Sequence, residues 1–211
     1  NLECLLHGLR SGNELSPTNQ SIIIFGIAAG MTNVHQNNIF HRTLNPSNIV
    51  IDDNFHPKIS DFLDSITLVE GVDQLEFDTE IGIPAYMAPE VVNKEMKLTN
   101  KTDVYAFSSI LYSILTKRVP YAETKMSVVQ LISKKKTLKG ILPELKEGEI
   151  PPILLDLMNR CWNFTPSVRP SFIQIVKEFM DHRNEYFNHP DIDRDIFNSY
   201  INEVAKDLIF Q

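Results

Sequence analysis

The run Ile22-Ile23-Ile24-Phe25-Gly26-Ile27-Ala28-Ala29-Gly30-Met31 contains no charged or hydrogen-bonding side chain. A helix built on it is apolar all round, so other elements have to enclose it on every side. The segment from Ile22 to Val34 therefore predicts a buried central helix, and Ser16-Pro17 supplies an N-cap followed by proline at the first helical position. A chain of 211 residues is long enough to close one such core as a single domain. Its 43% hydrophobic and 22% charged residues are those of a globular protein, not a disordered or fibrous one.

Further helical patterns occupy residues 1–10, Asp103 to Thr116 (Val104, Phe107, Leu111, Ile114, Leu115) and Pro151 to Trp162. Another begins at Ser171, where Ser171 and Gln174 make a capping box ahead of Phe172, Ile175, Val176 and Phe179. Near the end, Ile192, Ile196, Phe197, Tyr200, Ile201 and Val204 are spaced as one apolar helical face. Ile49 to Ile51 and Lys58 to Ser60 read as short strands around the turn chemistry of Asp52-Asp53-Asn54, a small hairpin between helices. The fold class is mainly α.

The net charge of −7 argues against non-specific attraction to nucleic acid or an anionic membrane. Lys134-Lys135-Lys136 is the only basic run and reads as the solvated end of a helix. Cys4 and Cys161 are far apart, which excludes a disulfide framework and a cysteine-rich zinc site and suits a reducing, cytoplasmic compartment. No apolar run reaches membrane-spanning length and no signal-peptide pattern is present. Asp61 to Glu80 lacks a helical period and carries Asp64, Glu70, Asp73, Glu76, Asp78 and Glu80 with no Lys or Arg between Lys58 and Lys94. A long acidic loop inside a compact domain is usually functional. His35 reads as a core histidine, Cys161 and Trp162 as core; His7, His56, His182 and His189 carry no assigned role.

Three motifs follow in order: His41-Arg42-Thr43-Leu44-Asn45-Pro46-Ser47-Asn48, then Asp61-Phe62-Leu63, then Ala88-Pro89-Glu90. They resemble the catalytic loop, the Asp-Phe-Gly element and the Ala-Pro-Glu element of protein kinases. Asp103-Val-Tyr-Ala-Phe-Ser108 resembles the family's buried central helix, and Arg160-Cys-Trp162 with Arg169-Pro170 its last conserved stretch. Together, in order and with family-like gaps, they resemble the tyrosine-kinase-like group of Ser/Thr kinases. The resemblance implies a kinase-like C-terminal lobe over residues 1–183, with a small β-hairpin at the catalytic loop, and a helical extension over 184–211. No Gly-x-Gly-x-x-Gly loop or Val-Ala-Ile-Lys strand of an N-lobe occurs. The chain opens on Asn1 rather than Met, already in helix-compatible sequence, and is expected to be part of something longer.

The departures from the family pattern concern the chemistry. Where the family's loop Asp receives the substrate hydroxyl's proton, this chain has Thr43, whose neutral hydroxyl is no carboxylate base. Where the family's Lys steadies the transferred phosphate it has Asn45, and where a Thr bonds both it has Ile83. None of the three is expected to be functional in transfer. Asn48 and Asp61 match the family's metal-binding positions and are hard oxygen donors suited to Mg²⁺; the local alternative is an Asn that caps a turn and an Asp that holds its loop. Val50 matches the adenine floor. Leu63 replaces a Gly and resists the backbone angles Gly permits.

The resemblance gives structural roles to other residues. His41 and Phe62 match the hydrophobic spine, Asp103 the anchor of the catalytic-loop backbone, and Glu90 with Arg169 a buried ion pair. Arg42 matches an arginine that clamps the activation segment; here the acidic loop could hold it without phosphorylation, or it could face backbone carbonyls.

ATP and Mg²⁺ are implied by the family, and no cofactor is expected for this chain alone. Three functions stand open: a pseudokinase lobe acting on protein partners, another kinase among them; the C-terminal part of an active or divergent Ser/Thr kinase; and a non-enzymatic helical scaffold. Neither nucleic acid nor membrane is an expected partner.

Overall fold

A computed structural model describes residues 1–8, 15–67, 82–93, 99–136, 142–206 and 208. The first elements are α1 (Leu2–Leu6), α2 (Pro17–Gln36), β1 (Ile39–Phe40), β2 (Ile49–Ile51), β3 (Pro57–Ile59) and β4 (Ile66–Thr67). Then come α3 (Pro89–Val92), α4 (Lys101–Thr116), α5 (Val128–Lys135), α6 (Pro152–Cys161), α7 (Phe172–Asp181), α8 (Arg183–Tyr186) and α9 (Arg194–Ala205). The described residues are mostly helical with few strands, and none of their helices is long and apolar enough to cross a membrane. They fall into two units, Asn1–Asn37 with Pro46–Ser60 and Ser171–Gln211, and Asn38–Asn45 with Asp61–Pro170.

In the first unit α2 is the axis of the core. Ser16 Oγ accepts from Asn19 N at 3.2 Å, Pro17 occupies the first turn, and every residue from Ser21 to Ala29 is buried. Burying each Ile or Phe there stabilises by about 1.5–3 kcal/mol. Helices α7 and α9 and strand β3 cover α2. Ser171 and Gln174 form the expected capping box at the start of α7. Helix α9 starts at Asp193, whose side chain accepts from Asp195 N and Ile196 N; Thr18 Oγ1 accepts from Asp193 N at 2.8 Å, tying that start to α2.

Phe25 meets Phe197 and Tyr200 edge-on at 6.5 and 6.3 Å. Gly26 lets Tyr200 and Pro57 come this close, since a Cβ there would lie 2.2 Å from Tyr200 Oη and 2.5 Å from Pro57 Cγ. Residues 184–206 thus carry a helix that completes this core. Strands β2 and β3 pair antiparallel with Ile49 opposite Ile59, the second strand beginning one residue before the expected Lys58. Asp52 Oδ1 closes the turn by accepting from Asn54 N and His56 N. His35 is half-buried with its ring 5.0 Å from that of Phe172.

In the second unit α4 is buried from Thr102 to Ile114 and packs on α6. Ser108 Oγ donates to Met158 O, and Trp162 Nε1 donates to Ser109 Oγ at 3.0 Å, so two small polar residues of the α4 core are satisfied. Cys161 and Trp162 are buried, as the sequence suggested. Helix α5 begins at a second capping box, Ser127 with Gln130. Strands β1 and β4 pair Ile39 with Thr67 and Phe40 with Ile66, an antiparallel pair with no sequence signal long enough to foresee.

One expectation is overturned. Lys134 and Lys136 are exposed, but Lys135 is not part of a solvated helix end: it is fully buried. The three lysines point to different sides of α5, and only the middle one faces the buried Tyr105 and Tyr121.

Candidate functional site

The loop that follows β1 is organised by one carboxylate. Asp103, buried in the first turn of α4, accepts from His41 N at 3.0 Å (Oδ2) and from Arg42 N at 2.9 Å (Oδ1). Arg42 has φ 70°, a conformation costly for a side-chain-bearing residue, and the two charge-assisted bonds offset that cost. The buried His41 ring lies 4.9 Å from the ring of Phe62, so the residues matched to the spine touch while Phe62 stays half-open to solvent. The side chain of Leu63 next to it is 93% exposed.

Thr43 and Asn45 turn toward each other's neighbourhood. Thr43 Oγ1 lies 3.4 Å from His41 Nδ1, and Asn45 Nδ2 donates to Thr43 O at 2.7 Å. Asn45 is buried, so its amide braces the loop backbone. Ile83 is 44% exposed. Gly82 before it has φ 119°. A Cβ there would sit 3.8 Å from Arg42 O.

Arg42 Nη1 donates to the backbone carbonyl of Asp64 at 3.0 Å. Of the two arrangements open to it, contact with a carbonyl is therefore present, and the carboxylates of Glu70, Asp73, Glu76, Asp78 and Glu80 lie outside the described residues. Burial lowers the Arg42 pKa, opposed by the charges of Asp64 and Asp103. Asp61 is exposed, with φ 62°.

Asn48 and Val50 belong to the first unit. Asn48 ends a 3-10 turn, and its carbonyl accepts from Ser60 N and Ser60 Oγ at 2.9 and 3.0 Å. Val50 is 45% exposed on β2. The Ser47 hydroxyl donates to the carboxylate of Glu3, linking this turn to α1.

The best-built ionic feature is Glu90 with Arg169. Nη1 donates to Oε1 at 2.5 Å and Nη2 to Oε2 at 2.8 Å, a two-pronged pair with both side chains fully buried. Thr102 Oγ1 donates to Glu90 Oε1. Arg169 also donates to Lys101 O, Asn163 O and Phe164 O, and Lys101 Nζ donates back to Arg169 O at 2.8 Å. This ties α3 to the start of α4 and to the turn before α7.

The chemistry of this assembly is asymmetric. Asp103, His41, Glu90 and Arg169 are buried and bonded, whereas the loop itself carries a neutral hydroxyl at Thr43 and an amide at Asn45. The loop itself had been read from the sequence; the brace from Asn45 to Thr43 O and the buried Lys135 had not, because neither leaves a motif.

A family model described as protein kinase domain matches residues 2–182. Dual specificity protein kinase shkB of Dictyostelium discoideum is 38% identical over 152 residues, 71% of this chain and 22% of that protein. Mouse receptor-interacting serine/threonine-protein kinase 4 is 34% identical over 173 residues, 75% of this chain and 21% of its own length. Serine/threonine-protein kinase STY17 of Arabidopsis thaliana is 30% identical over 161 residues, 74% of this chain and 26% of its own. This chain thus spans about a quarter or less of these relatives. With its motifs in order and its loop anchored on Asp103, the chain belongs to the protein kinase domain family.

Proposed function

We propose that this chain is the C-lobe part of a tyrosine-kinase-like-group domain that has given up phosphoryl transfer and acts in the cytoplasm as a regulatory or interaction module. Its partners on this reading are proteins, another kinase among them, and residues 184–211 are a helical extension of the kinase-like part. The observation that carries the reading is the state of the loop: Asn45 turns its amide onto Thr43 O, while Asp103 still holds the loop backbone through two N–H groups. The scaffold pair Glu90–Arg169 remains complete.

Mg²⁺ and ATP are the family's cofactors, and the residues fit them only in part. Asp61 offers an exposed carboxylate, Asn48 an amide oxygen and Val50 an exposed apolar side chain. The transfer positions Thr43, Asn45 and Ile83 offer neither base nor cation. Nucleotide binding by this chain alone is accordingly weak or absent on this reading.

Incubation with labelled ATP, Mg²⁺ and a generic Ser/Thr substrate is expected to give no more signal than a heat-treated control. The double variant Thr43→Asp with Asn45→Lys is expected to stay inactive. Transfer that disappears in Asp61→Ala would favour an active, divergent Ser/Thr kinase instead.

A further inference from the structure

Lys135 is a lysine inside the protein. Its Nζ donates to Met87 O at 2.7 Å and to Ala85 O at 3.4 Å, and lies 4.8 Å from the ring centre of Tyr121 and 5.2 Å from that of Tyr105. Tyr121 holds φ 67°, a strained backbone that brings its ring to this position. The guanidinium of Arg169 also stands 5.1 Å from the Tyr105 ring.

Two basic side chains therefore share the cluster, and Glu90 of α3, the carboxylate whose charge reaches Lys135, is engaged at both oxygens by Arg169. Among the described residues no carboxylate forms an ion pair with Lys135. The groups facing it are thus Tyr105 of α4, Tyr121 of the turn after α4, Glu90, Arg169 and two carbonyls, with Lys134 and Lys136 flanking it on the outside of α5.

We propose that Lys135 is a proton-operated latch between α5 and the Ala85–Met87 segment, closed while its amine is neutral and loosened when it is charged. A neutral amine still has two N–H groups for the two carbonyls and asks for no counter-charge. An ammonium brings a second positive charge into a dry cluster whose anion is already taken. Opening α5 gives that charge to water and frees the segment that leads into Ala88-Pro89-Glu90.

Burial lowers the Lys135 pKa from the ordinary 10.5 to about 7, against the pull of Glu90. Burial pushes the Tyr105 hydroxyl up to about 12 and the Tyr121 hydroxyl upward as well, so of the shifted groups in the cluster Lys135 is the one brought to neutrality. Because the folded value is the lower one, the closed form is fully favoured above the unfolded value and loses ground as pH falls toward the folded value. The opening equilibrium rises by about tenfold per pH unit on that descent and levels off below about pH 7.

The test is a carbon-13 titration of the Lys135 Cε signal in the full protein, assigned through its own backbone, alongside amide exchange in α5 and at Tyr86 and Met87. The signal is expected to titrate near neutrality. Opening rates, corrected for intrinsic exchange and divided by those of Lys135→Met, are expected to be about tenfold or more higher at pH 7 than at pH 8.5. A Cε titration at the ordinary lysine value overturns the latch even if Lys135→Met does not fold. So does an exchange ratio that is the same at both pH values.

Discussion

Arg169 donates to five oxygen atoms and leans on the Tyr105 ring, which no other basic side chain could reproduce. Arg169→Met leaves the Glu90 carboxylate buried without its counter-charge, so a loss of about 3–5 kcal/mol is expected. Arg169→Lys keeps a charge without the fork and is expected to recover only part of it; urea midpoints of the three proteins order them. At this scale much was legible. Glu90, Arg169, Asp103 and His41 were named from their motifs, and in the structure each is buried and bonded or stacked. Lys135 was hidden, because three consecutive lysines carry no periodicity and only packing decides which of them turns inward.

Helix α2 shows why an element can be easy to foresee while its neighbours are not. Its unbroken apolar run leaves no face for water, and the helix is buried as that demands. The capping box at Ser171 precedes a clear apolar stripe, whereas the same signature at Ser127 and Gln130 opens an eight-residue helix that buries only Leu131 and Lys135. Strands β1 and β4 are two residues each, too short for any alternation to register.

The contact between α2 and α9 depends on a missing side chain. Gly26→Ala is expected to destabilise by about 1–3 kcal/mol through overpacking against Tyr200 and Pro57. Tyr200→Phe in the same protein removes the hydroxyl but leaves Pro57, so thermal melts of the double variant are expected to show partial recovery.

Across the whole molecule the two units differ in how the sequence supplies them. Most of the second is one stretch, Asp61–Pro170, while the first is assembled from Asn1–Asn37, Pro46–Ser60 and Ser171–Gln211. A chain shortened to end before Asp193 lacks α9 and bares the α2 surface that Phe197 and Tyr200 cover. It is expected to pellet on centrifugation where the full chain stays in the supernatant, a comparison read directly on a gel. The order of the pieces also has a meaning for how the protein is made. Helix α2 leaves the ribosome with its apolar surface complete, and α7 and α9, which cover it, are translated more than a hundred residues later. At roughly 5–20 residues per second that surface waits on the order of ten seconds for the helices that cover it.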